Sequence, residues 1–502
     1  METRNQIKIG AILSYLSIVI NIITGLVYTP WMITMIGKDS YGLYALAMSI
    51  ISLFVFDFGL SNAITRFISK YLAEGNQEKA DNCLGLVYRL YIILDIVLLV
   101  ILTLVYIFIP QIYKELTQSE ILQFKIVFII AASFSVVSFP FIPVNGVLSA
   151  HEKFIQLKTC DVIHRVLVVL ANTICLCCGL GLYSLVAVYA LAGLGLIGAK
   201  LYCISAYTSQ KIAWRYGNIS ELKEISCYSG FATIIALAQR CIFSISPSIL
   251  GMLSGSNEIA LLGIAITIEN FTYTIASSLN GMFLPKVSRI LATDNSEILP
   301  LMVKVGRIQV FIIVLVVFGF ALVGRDFICL WIGKTFLDCY WCSLFLIIPS
   351  VVHLPQLIGQ DAIYAANKIK KLAIVYCIMA ISNIVGAFIF AKSYGAIGIC
   401  LCICIAYFVR TVGMDIILKR DLNIDIFQFF KKTFGKIFVP MVSLFLVFYF
   451  VFIMYMDEVT WISLGIKVIS FSITYMVTVY LFLMNQEEKY YVDSFFRKLI
   501  RR

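Results

Sequence analysis

The sequence predicts an all-α, polytopic membrane protein of about 14 transmembrane helices. Three observations predict it. The 502 residues are 61% hydrophobic and 13% charged, with a mean hydropathy of +0.96. A soluble domain is about 45–50% apolar and about 25% charged. Fourteen apolar stretches approach or exceed the ~20 residues that a spanning helix needs. Lysine and arginine, finally, fall on one side of those stretches. No stretch is long and polar enough to form a separate soluble domain, which argues against a catalytic domain outside the bilayer.

Residues 9–36 follow Arg4 and Lys8. This run is longer than a signal-peptide core and lacks a small-residue cleavage site, so it is expected to remain as span one. A turn at Gly37-Lys38-Asp39-Ser40 leads into span two, 41–64, which carries Asp57 and Asn62. A carboxylate at a helix centre costs roughly 2.5–3.5 kcal/mol on insertion scales. Asp57 should therefore face protein or a water-filled cavity. A basic amphipathic exit with Arg66, Lys70 and Lys79 follows. Spans three and four are 84–110 and 122–145, and span five, 162–180, is preceded by Asp161 and carries His164 and Arg165. Span six is 183–206. Span seven, 225–253, has Arg240 about halfway along, and span eight, 259–283, has Glu269 about halfway along. Spans nine to twelve are 305–328, 340–363 and the tight pair 371–392 and 395–418; spans thirteen and fourteen are 433–456 and 460–484. Lys467 is expected to snorkel outward from span fourteen. The tail Lys489–Arg502 alternates aromatic and aliphatic residues with cations, the pattern of an interfacial amphipathic helix.

With the N-terminus placed inside, 31 of the 39 Lys and Arg fall in inside segments or at the inside ends of spans, six on the outside in the same sense, and two, Arg240 and Lys467, deeper within spans. That bias orients the chain with both termini cytoplasmic. The net charge of +11 is then topogenic and calls for no nucleic acid. An internal repeat is visible. Lys70–Glu78 aligns with Arg289–Glu297, and Asn172 and Tyr183 recur as Asn383 and Tyr394. Spans one to six thus resemble spans seven to twelve. An even number of spans gives a parallel repeat, so two six-helix bundles are expected to be related by a pseudo-two-fold axis along the membrane normal. The expected division is 1–210, 211–420 and 421–502, the last holding spans thirteen and fourteen and the basic tail. Duplicated bundles suggest a cleft and alternating access.

Charges within or beside the spans are the candidate chemistry. Arg66, Arg89 and Arg240 could hold a diphosphate through the planar guanidinium fork; for Arg66 and Arg89 snorkelling to the cytoplasmic interface is the stronger reading. Asp57, Asp95 and Glu269 could carry a proton or a sodium ion. Arg240 and Glu269, at similar expected depth, could instead be a structural ion pair. The 15 cysteines lie mostly inside spans as small packing residues, and Cys339-Tyr-Trp-Cys342 is a lone CxxC. His151, His164 and His353 are scattered, so no metal site is expected. Neither a GxxxxGK[ST] loop nor a GxSxG motif occurs, so an ATPase or hydrolase activity is not expected.

The segments Gly37…Tyr41-Gly42-Leu43-Tyr44, Asp57-Phe58-Gly59-Leu60-Ser61, Arg66-Phe67…Tyr71-Leu72-Ala73-Glu74-Gly75 and Leu284-Pro285-Lys286-Val287-Ser288-Arg289 resemble Wzx-type polysaccharide flippases. These belong to the multidrug/oligosaccharidyl-lipid/polysaccharide exporter superfamily. The resemblance is specific over spans one to three and looser through span twelve. It implies two bundles arranged as a V, with the extra C-terminal helix pair. It implies a non-enzymatic flippase of the bacterial cytoplasmic membrane, carrying undecaprenyl-diphosphate-linked oligosaccharide repeat units to the outer leaflet. The head would cross a cationic cavity while the lipid tail stays in the bilayer. Candidate partners are membrane lipids, a polysaccharide polymerase and chain-length machinery; no cofactor is expected beyond a coupling ion, H+ or Na+. No family motif assigns Arg240 or Glu269, which rest on depth alone. A lipid II flippase, a multidrug exporter of the same superfamily and a polysaccharide polymerase are the alternative readings.

Overall fold

In lipid the backbone must satisfy its own hydrogen bonds, and apolar runs of this length do so as helices. A computed structural model of the chain describes residues 2–54, 60–214, 219–276, 287, 289–291, 297–456, 458–490 and 493. It is 89% helix, with no strand among the described residues. Asp57 and most of the C-terminal tail lie outside the described residues.

Ten described helices are long and apolar enough to cross a membrane, or eleven if one bent pair counts as a single span. The sequence predicts fourteen. Two of the expected spans run into residues 55–59 and 277–283, outside the described residues. Two others run together in a single helix of 54 residues, Ile369–Leu422. At about 1.5 Å per residue that helix is far longer than one crossing. It is interrupted at Gly395 (φ 54°, ψ −136°), where Glu258 accepts a hydrogen bond from the Ala396 N–H at 2.7 Å.

Contacts divide the chain into two compact units. The first is Met1–Thr267 with Tyr376–Cys402. Its helices are α1 (Glu2–Ile36), α2 (Lys38–Phe54), α3 (Leu60–Ala73), α4 (Gln77–Ile112), α5 (Gln118–Ser138), α6 (Val144–Ala150), α7 (Phe154–Cys177), α8 (Leu182–Tyr207), α9 (Ile219–Arg240), α10 (Ser246–Leu253) and most of α11 (Ser256–Ala276). Helix α7 packs on α1 and α8, α5 on α8 and α2, and α3 on α6 and α4. Gly42 lets the α2 backbone lie directly against the start of α11, since a Cβ there would stand 2.1 Å from the Ser256 carbonyl oxygen.

The second unit is Ile268–Val375 with Ile403–Arg502. Its helices are α12 (Ile298–Ile332), α13 (Cys339–Ile347), α14 (Leu357–Ala365), the later part of α15 (Ile369–Leu422), α16 (Ile426–Phe434), α17 (Phe438–Tyr455) and α18 (Trp461–Thr478). Helix α12 is the hub, touching α13, α14, α16, α17 and α18. Val310, Phe311 and Val314 of α12 share a core with Ile437, Met441, Phe471 and Tyr475. Two buried ion pairs pin the C-terminal helices to this hub. Arg307 donates to Glu488 (Nε–Oε1 2.7 Å, Nη2–Oε2 3.1 Å) and to the Leu483 carbonyl at 2.7 Å. Leu483 ends a π-helical turn, Val479–Leu483, which follows α18. Lys467 donates to Asp326 at 2.6 Å. Lys467 therefore does not snorkel outward. It is 5% exposed, because a carboxylate on the neighbouring helix lies within reach and compensates the buried ammonium.

Candidate functional site

A cavity of about 380 Å³ opens within the first unit. That volume is in the ~300–1,000 Å³ range of small-molecule sites. Its walls come from α2 (Ser52), α5 (Phe134), α6 (Asn145), α7 (His164), α8 (Tyr189, Lys200) and α9 (Arg240). Phe134 stands edge-on to Tyr189 at 5.7 Å. Gly193 admits that ring, because a Cβ at this position would meet Phe134 at 2.4 Å.

Two cations line the cavity. Arg240 is the last residue of α9, immediately before a five-residue π-helical turn, Cys241–Ile245. Such turns re-aim side chains and recur at functional sites. The guanidinium Nη1 donates to the Ser52 carbonyl and, at 3.0 Å, to Ser52 Oγ. Lys200 is 7% exposed. Its ammonium donates to Asp161 Oδ1 at 2.7 Å and to Asn145 Oδ1 at 2.9 Å. His164 faces Tyr189 with ring centroids 6.3 Å apart, and its buried Nε2 has no hydrogen-bond partner among the described residues. A cationic, half-apolar cavity of this kind can take a phosphate through bidentate arginine and point-charge lysine contacts.

Of the five described residues among the six singled out from the sequence, Arg240 lines this cavity, and Asp57 lies outside the described residues. Arg66 is exposed on α3. Arg89 donates to the Trp214 carbonyl and so braces the segment after α8. That segment is also held by Asp81, which accepts from the Lys211 N–H at 2.9 Å and from Gln210 Nε2 at 2.6 Å. Asp95 is half-buried on α4, and its enclosed Oδ1 has no hydrogen bond from a described residue. Glu269 belongs to the second unit. It is 7% exposed. Lys200, Asn145 and His164 are the cavity residues that sequence reasoning missed. The available signal was the placement of Lys200 inside the apolar run of span six, opposite Asp161 at the head of span five.

Residues 7–291 match the family described as polysaccharide biosynthesis protein. No curated protein matches the chain. Among solved structures, the lipid II flippase MurJ in an inward closed conformation is similar, with a TM-score of 0.70 at 15% identity, covering 98% of this chain and 99% of that one. An inward-facing multidrug resistance MATE family transporter has a TM-score of 0.66 at 12% identity, covering 81% of this chain and 98% of that one. A superfamily transporter from Pyrococcus furiosus has a TM-score of 0.53 at 14% identity, covering 83% and 94%. At these identities the likeness establishes the fold.

Proposed function

Because the chain belongs to the polysaccharide biosynthesis protein family, we propose that it is a flippase for undecaprenyl-diphosphate-linked oligosaccharide repeat units. The observation that carries this reading is the pairing of Arg240 and Lys200 on one cavity. Arg240 clamps one phosphate through its planar fork. Lys200 exchanges its Asp161 contact for the second phosphate, so Asp161 keeps the site balanced when it is empty. The sugars occupy the aqueous part of the path and the lipid tail stays in the bilayer.

The unit alternates access across the cytoplasmic membrane without an ATPase, driven by an ion gradient, the membrane potential or the substrate's own gradient. Asp57, Asp95 and Glu269 are the candidate coupling carboxylates, and H+ or Na+ the candidate ion. Arg66 and Arg89 act at the mouth, guiding the anionic head. The full arrangement is fourteen spans in two six-helix bundles over 1–210 and 211–420, plus the helices of 421–502. The match to the flippase structure runs over 98% of the chain, that to the multidrug transporter over 81%. Lipid II is the alternative substrate, and export of multiple drugs the alternative transport reaction.

The test is to delete the gene in its host and ask on which leaflet the lipid-linked unit collects. Accumulation of complete units on the cytoplasmic leaflet supports the flippase. Units that cross normally and stay unpolymerised outside would put a polymerase ahead of it.

A further inference from the structure

Helix α16 is a nine-residue element that does not span, placed between the long α15 and the apolar α17, and bent by 43° from the axis of α17. Its sequence, Ile-Phe-Gln-Phe-Phe-Lys-Lys-Thr-Phe, is strongly two-faced. One face is buried. Phe429 and Thr433 are completely enclosed, and the Phe429 ring reaches 3.4 Å from where a Cβ of Gly306 on α12 would be. The other face carries Phe427, 78% exposed, with Lys431 one turn further on.

The charges around α16 are one-sided. Lys419 and Arg420 are exposed at the end of α15, and Lys431, Lys432 and Lys436 are exposed at the other end of α16. None of these five forms an ion pair with a described residue. The neighbouring acids are already engaged. Asp421 accepts from Lys371, Glu487 from Lys304 at 2.8 Å, and Asp425 caps α16 by accepting from the Gln428 N–H at 2.9 Å. Among the described residues no carboxylate pairs with these five cations, so the described surface around α16 is positive and complementary to an anionic one.

We propose that α16 is an in-plane docking site for the headgroups of anionic phospholipids. Phe427 enters the acyl boundary and the lysines hold the phosphates, the arrangement of an interfacial amphipathic helix. Exposed Phe438 and Val439 at the base of α17 continue the apolar contact. The site also reaches the interior. The Lys432 carbonyl accepts from Arg307 Nη1 at 3.3 Å, and Arg307 holds Glu488. Headgroup binding therefore braces the joint at which the C-terminal helices meet α12.

Native mass spectrometry of the full-length protein in detergent, titrated with phosphatidylglycerol or phosphatidylcholine, tests this. The wild type is expected to retain phosphatidylglycerol adducts in preference. The Lys431→Gln/Lys432→Gln/Lys436→Gln variant should bind it about 100-fold more weakly, the ratio that three lysines at about 1 kcal/mol each imply. Phe427→Gln should weaken both lipids without removing the preference. A control variant, Lys114→Gln/Lys334→Gln/Lys392→Gln, should match the wild type. Unchanged phosphatidylglycerol retention in the first variant, or an equal loss in the control, overturns the proposal.

Discussion

Gly42→Ala places a methyl group where α2 now lies flush against the start of α11. The added Cβ would stand 2.1 Å from the Ser256 carbonyl oxygen, 2.9 Å from its carbonyl carbon and 3.3 Å from its Cα. All three are backbone atoms, so no side chain can swing aside. Ordinary contact begins at roughly 3.5 Å, so the two backbones must part by more than roughly 1 Å. The same displacement strains the bonds from Ser256 Oγ to Glu120 and, at 3.4 Å, to Asp39. Overpacking alone costs about 1–3 kcal/mol, and a weakened bond to a charged group adds about 1 kcal/mol. Gly42→Ala should therefore lose about 2–4 kcal/mol in reversible unfolding in mixed micelles, with faster amide exchange at residues 254–259. Under alternating access it should also populate states in which this contact is open. Wild-type stability together with wild-type exchange in that segment would refute the argument.

Other perturbations follow from the same contacts. Lys200→Met should lower stability, because half-buried Asp161 loses its close cation and keeps only the half-exposed Lys158 at 3.9 Å, and Lys200→Met/Asp161→Asn should restore folding but not transport; parallel unfolding and transport assays separate the two. Arg307→Met removes one partner of a buried pair and should cost about 3–5 kcal/mol, with Arg307→Met/Glu488→Leu recovering much of it in a double-mutant cycle by chemical unfolding. Lys467→Met should likewise destabilise through stranded Asp326, and Lys467→Met/Asp326→Leu should be milder in the same assay. Gly395→Ala meets a left-handed φ of 54° and a Cβ position 2.3 Å from Glu258 Oε2, so at least about 1–2 kcal/mol should be lost in thermal unfolding.

The helical class was legible because apolar length and charge bias act locally along the chain, and neither depends on which helices touch. What the sequence hid were the relations between helices. Lys200 read as one topogenic cation among many; its burial depends on Asp161 and Asn145, which come from two other helices. Lys467 was misjudged for the same reason, since the carboxylate of Asp326 lies 141 residues away. In the sequence, helix α16 merges into a loop and the head of an apolar run, because nine residues are too few to register as a span. Gly42 could be quoted as part of a motif, but the need for glycine there is the backbone of Ser256. The π-helical turn after Arg240 left no periodic trace, and without it the arginine was placed by depth alone.

The most direct measurement is transfer of undecaprenyl-diphosphate-linked oligosaccharide across proteoliposomes holding the purified chain. The account predicts transfer by the wild type and by the control variant Lys114→Gln/Lys334→Gln/Lys392→Gln, and its loss in Arg240→Ala and in Lys200→Met/Asp161→Asn, each folded. Transfer undiminished in both cavity variants, or none by a folded wild type under any imposed ion gradient or potential, would contradict it.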